Sequence, residues 1–275
     1  MRAELLNVVT VRFNPIRFQA PERNFERFER HMLESGVCLH VVELQVGDRP
    51  FVATPSTLDW PAGRYSMTQL RSRHEMFVKE NLINIGVSRL PADWKYVAWV
   101  DADIHFRRPE WAAETVHKLQ TFDVVQPWSH CEMQGPNGAH EHVDIQKGFV
   151  ARYIEMLQDE LAGKKPYGTP HGKHPYGGWW GHCGMAWAMR RSAWDKLGGL
   201  IDTAILGSAD HHMACALVGA VRSSSPDVTP AFLADLKRWE ARAEQHIQRN
   251  IGFVRGTIDH HFHRSEEHTS ELQSQ

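Results

Sequence analysis

Apolar positions along this chain recur with two different periods, and the switches between them predict its elements. Leu5 to Phe13 (LLNVVTVRF) is a nearly continuous apolar, β-branched run, which predicts a buried strand broken by the Asn14-Pro15 loop. Pro21 to Glu34 places Phe25, Phe28 and Met32 at helical spacing between charges, and Gly36 follows as a stop signal. Val37 to Val46 predicts a second strand, so the first fifty residues read strand, helix, strand, the start of an α/β fold with parallel strands. After an irregular Pro-, Thr- and Ser-rich piece from Phe51 to Met67, the pattern predicts one long helix over Gln69 to Leu90.

Tyr96 to Val100 is a short β-branched and aromatic run, read as a buried strand. Further helices are predicted over Pro109–Gln120, Phe149–Leu161 and Ser208–Gly219, with a charged surface helix over Pro230–Asn250. Phe122–Pro127 and Cys183–Met189 predict strands, and Phe253–Phe262 a last strand ending in histidines. Ser129–Gly148 and Gly163–Gly181 carry no period; irregular stretches of that length are unusual in a compact domain unless they cover a site.

Composition narrows this picture. A length of 275 residues with 42% hydrophobic content allows one large domain with a sizeable core. A formal net charge of -2 argues against a general nucleic-acid binder. The four cysteines (Cys38, Cys131, Cys183, Cys215) form no CxxC pair, which suggests neither a zinc ribbon nor a disulfide framework and makes a reduced, cytoplasmic setting the expectation. No signal-peptide core and no apolar run of membrane-spanning length is present. Eighteen histidines and ten tryptophans hint at metal ions and flat, partly apolar ligands such as sugar rings.

The candidate chemistry gathers at five places. The Tyr96–Val100 strand ends in Asp101-Ala102-Asp103, and residues i and i+2 of a strand share a side, so the carboxylates are expected to converge on a hard divalent cation. A polar turn closing the strand is the plainer alternative. Lys79 to Gly86 (KENLINIG) reads by itself as the C-terminal half of a helix. Trp179 and Trp180 lie between glycines in GGWWG, an arrangement suited to a mobile aromatic lid. Asp210, in GSADHHM, starts a helix, where it serves either the helix dipole or general-base chemistry. His260 to His263 places His261 and His263 on one side of a strand, as metal ligands would be.

Together, KENLINIG, a strand ending in DAD, GMAWAMRRSAWDKLGG, GSADHHM and HHFH resemble the nucleotide-sugar glycosyltransferases of the GT-A fold. The likeness is to the β-1,4-galactosyltransferase and polypeptide N-acetylgalactosaminyltransferase branch and related bacterial or phage enzymes, and it spans Val8 to His263. It implies a Rossmann-like α/β fold with a mixed, mostly parallel central sheet flanked by helices. It also implies a metal-dependent transfer of sugar from a nucleotide-diphosphate sugar, with UDP-sugar favoured, to an acceptor hydroxyl with inversion.

Carried over by position, the resemblance makes Asp101 and Asp103 the metal-binding pair, with Asp101 also near the donor ribose. His263 and His261 are the further ligands of Mn²⁺ or Mg²⁺, with His260 as the alternative partner. Arg12, Asn14 and Arg17 cradle the nucleotide, Lys79 and Asn84 stand near it, Trp180 closes over the donor, and Asp210 is the catalytic base. The base assignment rests on one carboxylate, since related enzymes have a more acidic block where this chain has Ala209-Asp210-His211-His212.

Residues 1–263 are thus expected to form a single domain. Residues 264–275 read as a polar tail resembling a translated sequencing adapter, which implies that the natural gene continues past His263. Competing readings are a nucleotidyltransferase of related fold, a His-rich metallohydrolase using His140, His142 and the last histidine cluster, and a sugar-binding module built on tryptophans. The acceptor, whether glycan, protein side chain or modified DNA, and the oligomeric state are open from sequence.

Overall fold

The computed structural model describes residues 5–52, 56–135, 138–164, 181–205, 207–224 and 228–262. In chain order the elements are β1 (Asn7–Arg12), α1 (Gln19–Glu34), β2 (Cys38–Val46), β3 (Tyr65–Ser72), α2 (Lys79–Ser88), β4 (Tyr96–Val100), β5 (Ile104–Phe106), α3 (Trp111–Leu119) and β6 (Val124–Gln126). They continue with β7 (His130–Gly135), β8 (Gly138–Lys147), α4 (Phe149–Leu161), β9 (Ala186–Arg190), α5 (Arg191–Leu197), α6 (Ala209–Leu217), α7 (Val221–Ser224), α8 (Pro230–His246), β10 (Ile251–Phe253) and β11 (Thr257–His260).

Seven strands form a mixed central sheet in the order β10-β6-β9-β4-β1-β2-β3. β9 alone runs against its neighbours β4 and β6; the other pairings are parallel. Both faces are covered, which is why β1 reads as a continuous apolar run rather than an alternating one. Val8 packs with Phe25 and Phe28 of α1 and Leu119 of α3 on one face. Val9 belongs to the core on the other face, which also holds Leu82 and Ile83 of α2, Met213 of α6 and Trp239 of α8. A smaller four-stranded sheet, β5-β11-β7-β8, lies beside the main one.

Several sequence expectations are corrected. The long helix over 69–90 is instead β3, pairing with β2 from Leu39↔Tyr65 to Val46↔Ser72, followed by the shorter α2. Leu70 fits a helical stripe equally well; the open edge of β2 decides, and that is a long-range effect. Ser129–Gly148 is not irregular but holds the β7/β8 hairpin, whose register shifts at Gln134 and so breaks the alternation a strand would show. The last expected strand, Phe253–Phe262, is shortened to β11 in the small sheet, and the short β10, which joins the main sheet, ends where it was expected to begin. β9 begins at Ala186 rather than Cys183, because Met185 takes a left-handed φ of 76° that no strand accommodates. Helix α8 is less superficial than its charges suggest, since it buries Leu236, Trp239 and Ala243. The segment after Lys164 that carries Trp179 and Trp180 lies largely outside the described residues, as does His263.

Candidate active site

The chain runs from β1 outward through β2 and β3, then returns to place β4 on the opposite side of β1. Connections leaving β1 and β4 therefore diverge, and such a reversal opens a crevice at the carboxyl ends of the two strands. A cleft of about 290 Å³ sits at that place. Its walls include Arg12 at the end of β1, Phe13 and Asn14 after it, Glu22 and Phe25 of α1, Phe77 before α2 and Lys79 at its start, and Asp101 to Asp103 after β4.

The loop after β1 is braced from within. Arg12 pairs with Glu22 and lies 4.1 Å over the Phe25 ring. Asn14 donates to Phe18 O (2.8 Å) and Glu22 Oε1 (2.9 Å) and accepts from Phe18 N–H (3.0 Å). Phe13 stacks on Phe77 at 5.4 Å, tying this loop to the entry of α2. Arg17, expected in the same cradle, sits on a turn with a φ of 62° and is exposed outside the cleft.

Asp101 and Asp103 do not owe their proximity to strand alternation, because β4 ends at Val100 and both lie in the turn before β5. Asp101 N–H still donates to Met185 O (2.8 Å), which fixes where that turn begins. Lys79 forms an ion pair with the Asp101 carboxylate. Burial works against the Lys79 ammonium, but Asp101, Glu80 and Asp210 outweigh it and hold the group charged well above its ordinary range. Burial also raises Asp101, which Lys79 opposes and Asp103 and Asp210 reinforce.

Glu80 is pushed up to about 7 by burial, against the pull of Lys79, with Asp210 and Asp101 adding to the rise. Three carboxylates, Asp101, Glu80 and Asp210, thus act on one ammonium, with Asp103 beside Asp101, and this excess of acidic groups favours a bound cation. Glu80 was not singled out in the sequence beyond its place beside Lys79 in KENLINIG.

Among the described residues no three His, Cys, Asp or Glu side chains are gathered as a metal cage. A pair is present: His260 Nε2 lies 3.5 Å from Asp103 Oδ2. His261 touches the same turn through its backbone, donating to Asp103 O (2.8 Å), while its ring faces Gln134 Oε1 (2.9 Å). Burial and Arg27 favour its neutral ring. So the imidazole nearer Asp103 is that of His260. Asn84 lies away from the cleft; it accepts from Leu200 N–H (2.9 Å) and donates to Leu200 O (3.1 Å), binding α2 to the loop after α5.

Asp210 opens α6 after Ser208, itself left-handed at φ 62°. Its Oδ1 accepts from His211 N–H (2.8 Å). Its Oδ2 lies against Gly184, in the Gly181–Met185 segment that leads into β9. His182 and Gly184 were not singled out from sequence, although glycines flanking His182-Cys183 hint at close backbone approach.

No protein-family model matches the chain, and its sequence matches no curated protein. Among solved structures it is similar to a Drosophila β1,4-galactosyltransferase 7 mutant complexed with manganese, UDP-Gal and xylobiose. That match has 12% identity and a TM-score of 0.41 and covers 96% of this chain and 73% of the other. It is also similar to a fragment of TarS from S. aureus, at 12% identity and a TM-score of 0.43, over 78% of this chain and 55% of the other. No described helix is long and apolar enough to cross a membrane.

Proposed function

We propose that the chain is a metal-dependent glycosyltransferase that moves a sugar from a UDP-sugar to an acceptor hydroxyl with inversion. The observation that carries this reading is the cleft at the β1/β4 reversal, where Arg12 and Asn14, Lys79, and Asp101 with Asp103 line one space. The motif resemblance, not the faint structural matches, supplies the identity of the donor.

Asp103 Oδ2 and His260 Nε2 offer one oxygen and one nitrogen donor from adjacent segments. That fits the protein's share of Mn²⁺ or Mg²⁺ ligation, with diphosphate and water oxygens as the remaining ligands. Such an ion supplies positive charge where the diphosphate leaves. Lys79, held cationic beside Asp101, adds a second fixed positive charge on the same side. Arg12, held in place by Glu22 and Phe25, presents its guanidinium at the cleft wall for the nucleotide.

Asp210 takes the acceptor's proton. As the acceptor oxygen bonds to the anomeric carbon, the bond from that carbon to the phosphate oxygen breaks and its electron pair leaves with the diphosphate. The backbone N–H on Asp210 Oδ1 fixes the carboxylate before the reaction begins, so no reorganisation is required at that moment.

The test is a thermal-shift panel of nucleoside diphosphates, each with and without Mn²⁺. At a hundredfold excess over Kd, ligand should add about 2.7 kcal/mol, roughly 2–4 °C per kcal/mol for a chain of this size. The expected result is a shift that needs one nucleotide and the metal together and disappears in Asp103→Asn. Silence with every nucleotide overturns the reading.

A further inference from the structure

The segment Gly181-His182-Cys183-Gly184-Met185 takes part in neither sheet as a strand, yet it is pinned at every step. His182 N–H donates to Lys147 O (2.8 Å), and His182 O accepts from Phe149 N–H (3.0 Å) and from the Gln126 amide (3.0 Å). Gly181, at φ 73°, has no room for a side chain, because a Cβ there would lie 2.7 Å from Lys147 O and 2.8 Å from Gly148 O. Met185 closes the segment in the left-handed region at φ 76°. Strain of this kind in a non-glycine residue persists only where surrounding structure enforces it, and here it stands next to the carboxylate read as the base.

Gly184 is where the side chains meet. A Cβ on it would lie 2.8 Å from Asp210 Oδ2 and 3.0 Å from His182 Cε1. A carboxylate oxygen of Asp210 and the Cε1 edge of the His182 imidazole therefore both lie over the same bare Cα. The Gly184 N–H donates to His182 Nδ1 (3.1 Å), which makes Nδ1 the acceptor and places the neutral ring's proton on Nε2. Asp210 Oδ1 is already held by His211 N–H, so the orientation of Oδ2 is set at the Gly184 side.

We propose that His182 is a positioning residue for Asp210: the two side chains share the space left by Gly184, and the locked imidazole fixes the direction in which Oδ2 addresses the incoming hydroxyl. This rests on the reading of Asp210 as the base. The sequence requirement is narrow. Position 184 must be glycine, and position 182 must carry a planar ring that accepts one backbone hydrogen bond. Gly184→Ala keeps a permitted backbone but drives a methyl into both partners.

Two measurements separate this proposal from the donor-site reading. The first follows the His182 imidazole ¹⁵N resonances in the whole protein, without substrate. They should show Nδ1 as acceptor, and they should move in Asp210→Asn and in Gly184→Ala. Unchanged His182 resonances in both variants overturn the proposal, whatever the nucleotide panel shows. The second measures UDP release from UDP-galactose with Mn²⁺, water serving as acceptor. His182→Ala and Gly184→Ala should each lower kcat about tenfold or more with KM little changed. His182→Gln, whose amide oxygen can accept the Gly184 N–H, should recover part of the loss. Adding His182→Ala to Asp210→Asn should cost nothing further, since the two act as one unit. Full additivity of the two losses, or a loss confined to KM, overturns the proposal. Failure of the nucleotide panel with the imidazole coupling intact strikes the donor reading alone.

Discussion

Gly86 lies in helix α2, which carries Lys79 at its start, and faces the sheet at close range. A Cβ added there would sit 2.7 Å from Val9 Cγ1 and 2.9 Å from Val42 Cγ2. Two effects of Gly86→Ala then oppose each other. Alanine in place of glycine gains up to about 1 kcal/mol of helix propensity. Overpacking a filled core costs about 1–3 kcal/mol. The second should win, because Val9 and Val42 are fully buried and their branched side chains have one comfortable χ1 each, so neither can swing aside. A net loss of about 1–2 kcal/mol corresponds to a fall in Tm of about 2–8 °C. The relief available to the protein is to lift α2 off the sheet, which draws Lys79 from Asp101 and weakens the nucleotide- and metal-dependent thermal shift. Differential scanning calorimetry of the variant, alone and with UDP plus Mn²⁺, measures both. A Tm that rises by the propensity gain, with the ligand shift intact, would refute the close packing of α2 and its part in holding Lys79.

Other outcomes follow from particular contacts. Asn84→Ala removes both bonds to Leu200 and should cost about 1–3 kcal/mol in urea unfolding, while leaving the nucleotide-dependent shift in place; loss of that shift with stability unchanged would return Asn84 to the nucleotide site. His40 and His212 are held neutral by burial, each lowered to about 4, His40 between Ser66 and Asn7, and His212 beside Ser224 with its neighbour His211 adding to the effect. The unfolded chain takes up these protons near the ordinary value of 6.5, so stability is full above that pH and falls as pH drops from 6.5 towards 4. Each contributes up to about 3 kcal/mol to that fall. Urea titrations at several pH values, with His40→Gln as the comparison, should show a shallower acid dependence in the variant; an identical dependence contradicts a buried neutral His40.

The sequence by itself determined the elements whose local pattern and burial agree. β1, α1 and β2 were legible because β1 is nearly continuously apolar, β2 is rich in Val and Leu, and α1 carries Phe25, Phe28 and Met32 on one stripe. The Asp101/Asp103 pair was legible for the same reason, since an abrupt change from Val100 to carboxylates marks a strand's end wherever the rest of the sheet lies. What only the tertiary structure decided involves partners distant in the chain. β3 exists because β2 offers an open edge; nothing within Tyr65–Ser72 separates it from the helix that its apolar spacing also permits. The cleft exists because β4 returns to the far side of β1, an order no local period encodes. His260 rather than His261 faces Asp103 because β11 pairs with β5 in one register, and a one-residue slip would exchange the two rings. Asp210, His182 and Gly184 meet beside two residues of left-handed backbone, Met185 and Ser208, whose conformations leave no mark in the pattern of hydrophobic and polar positions.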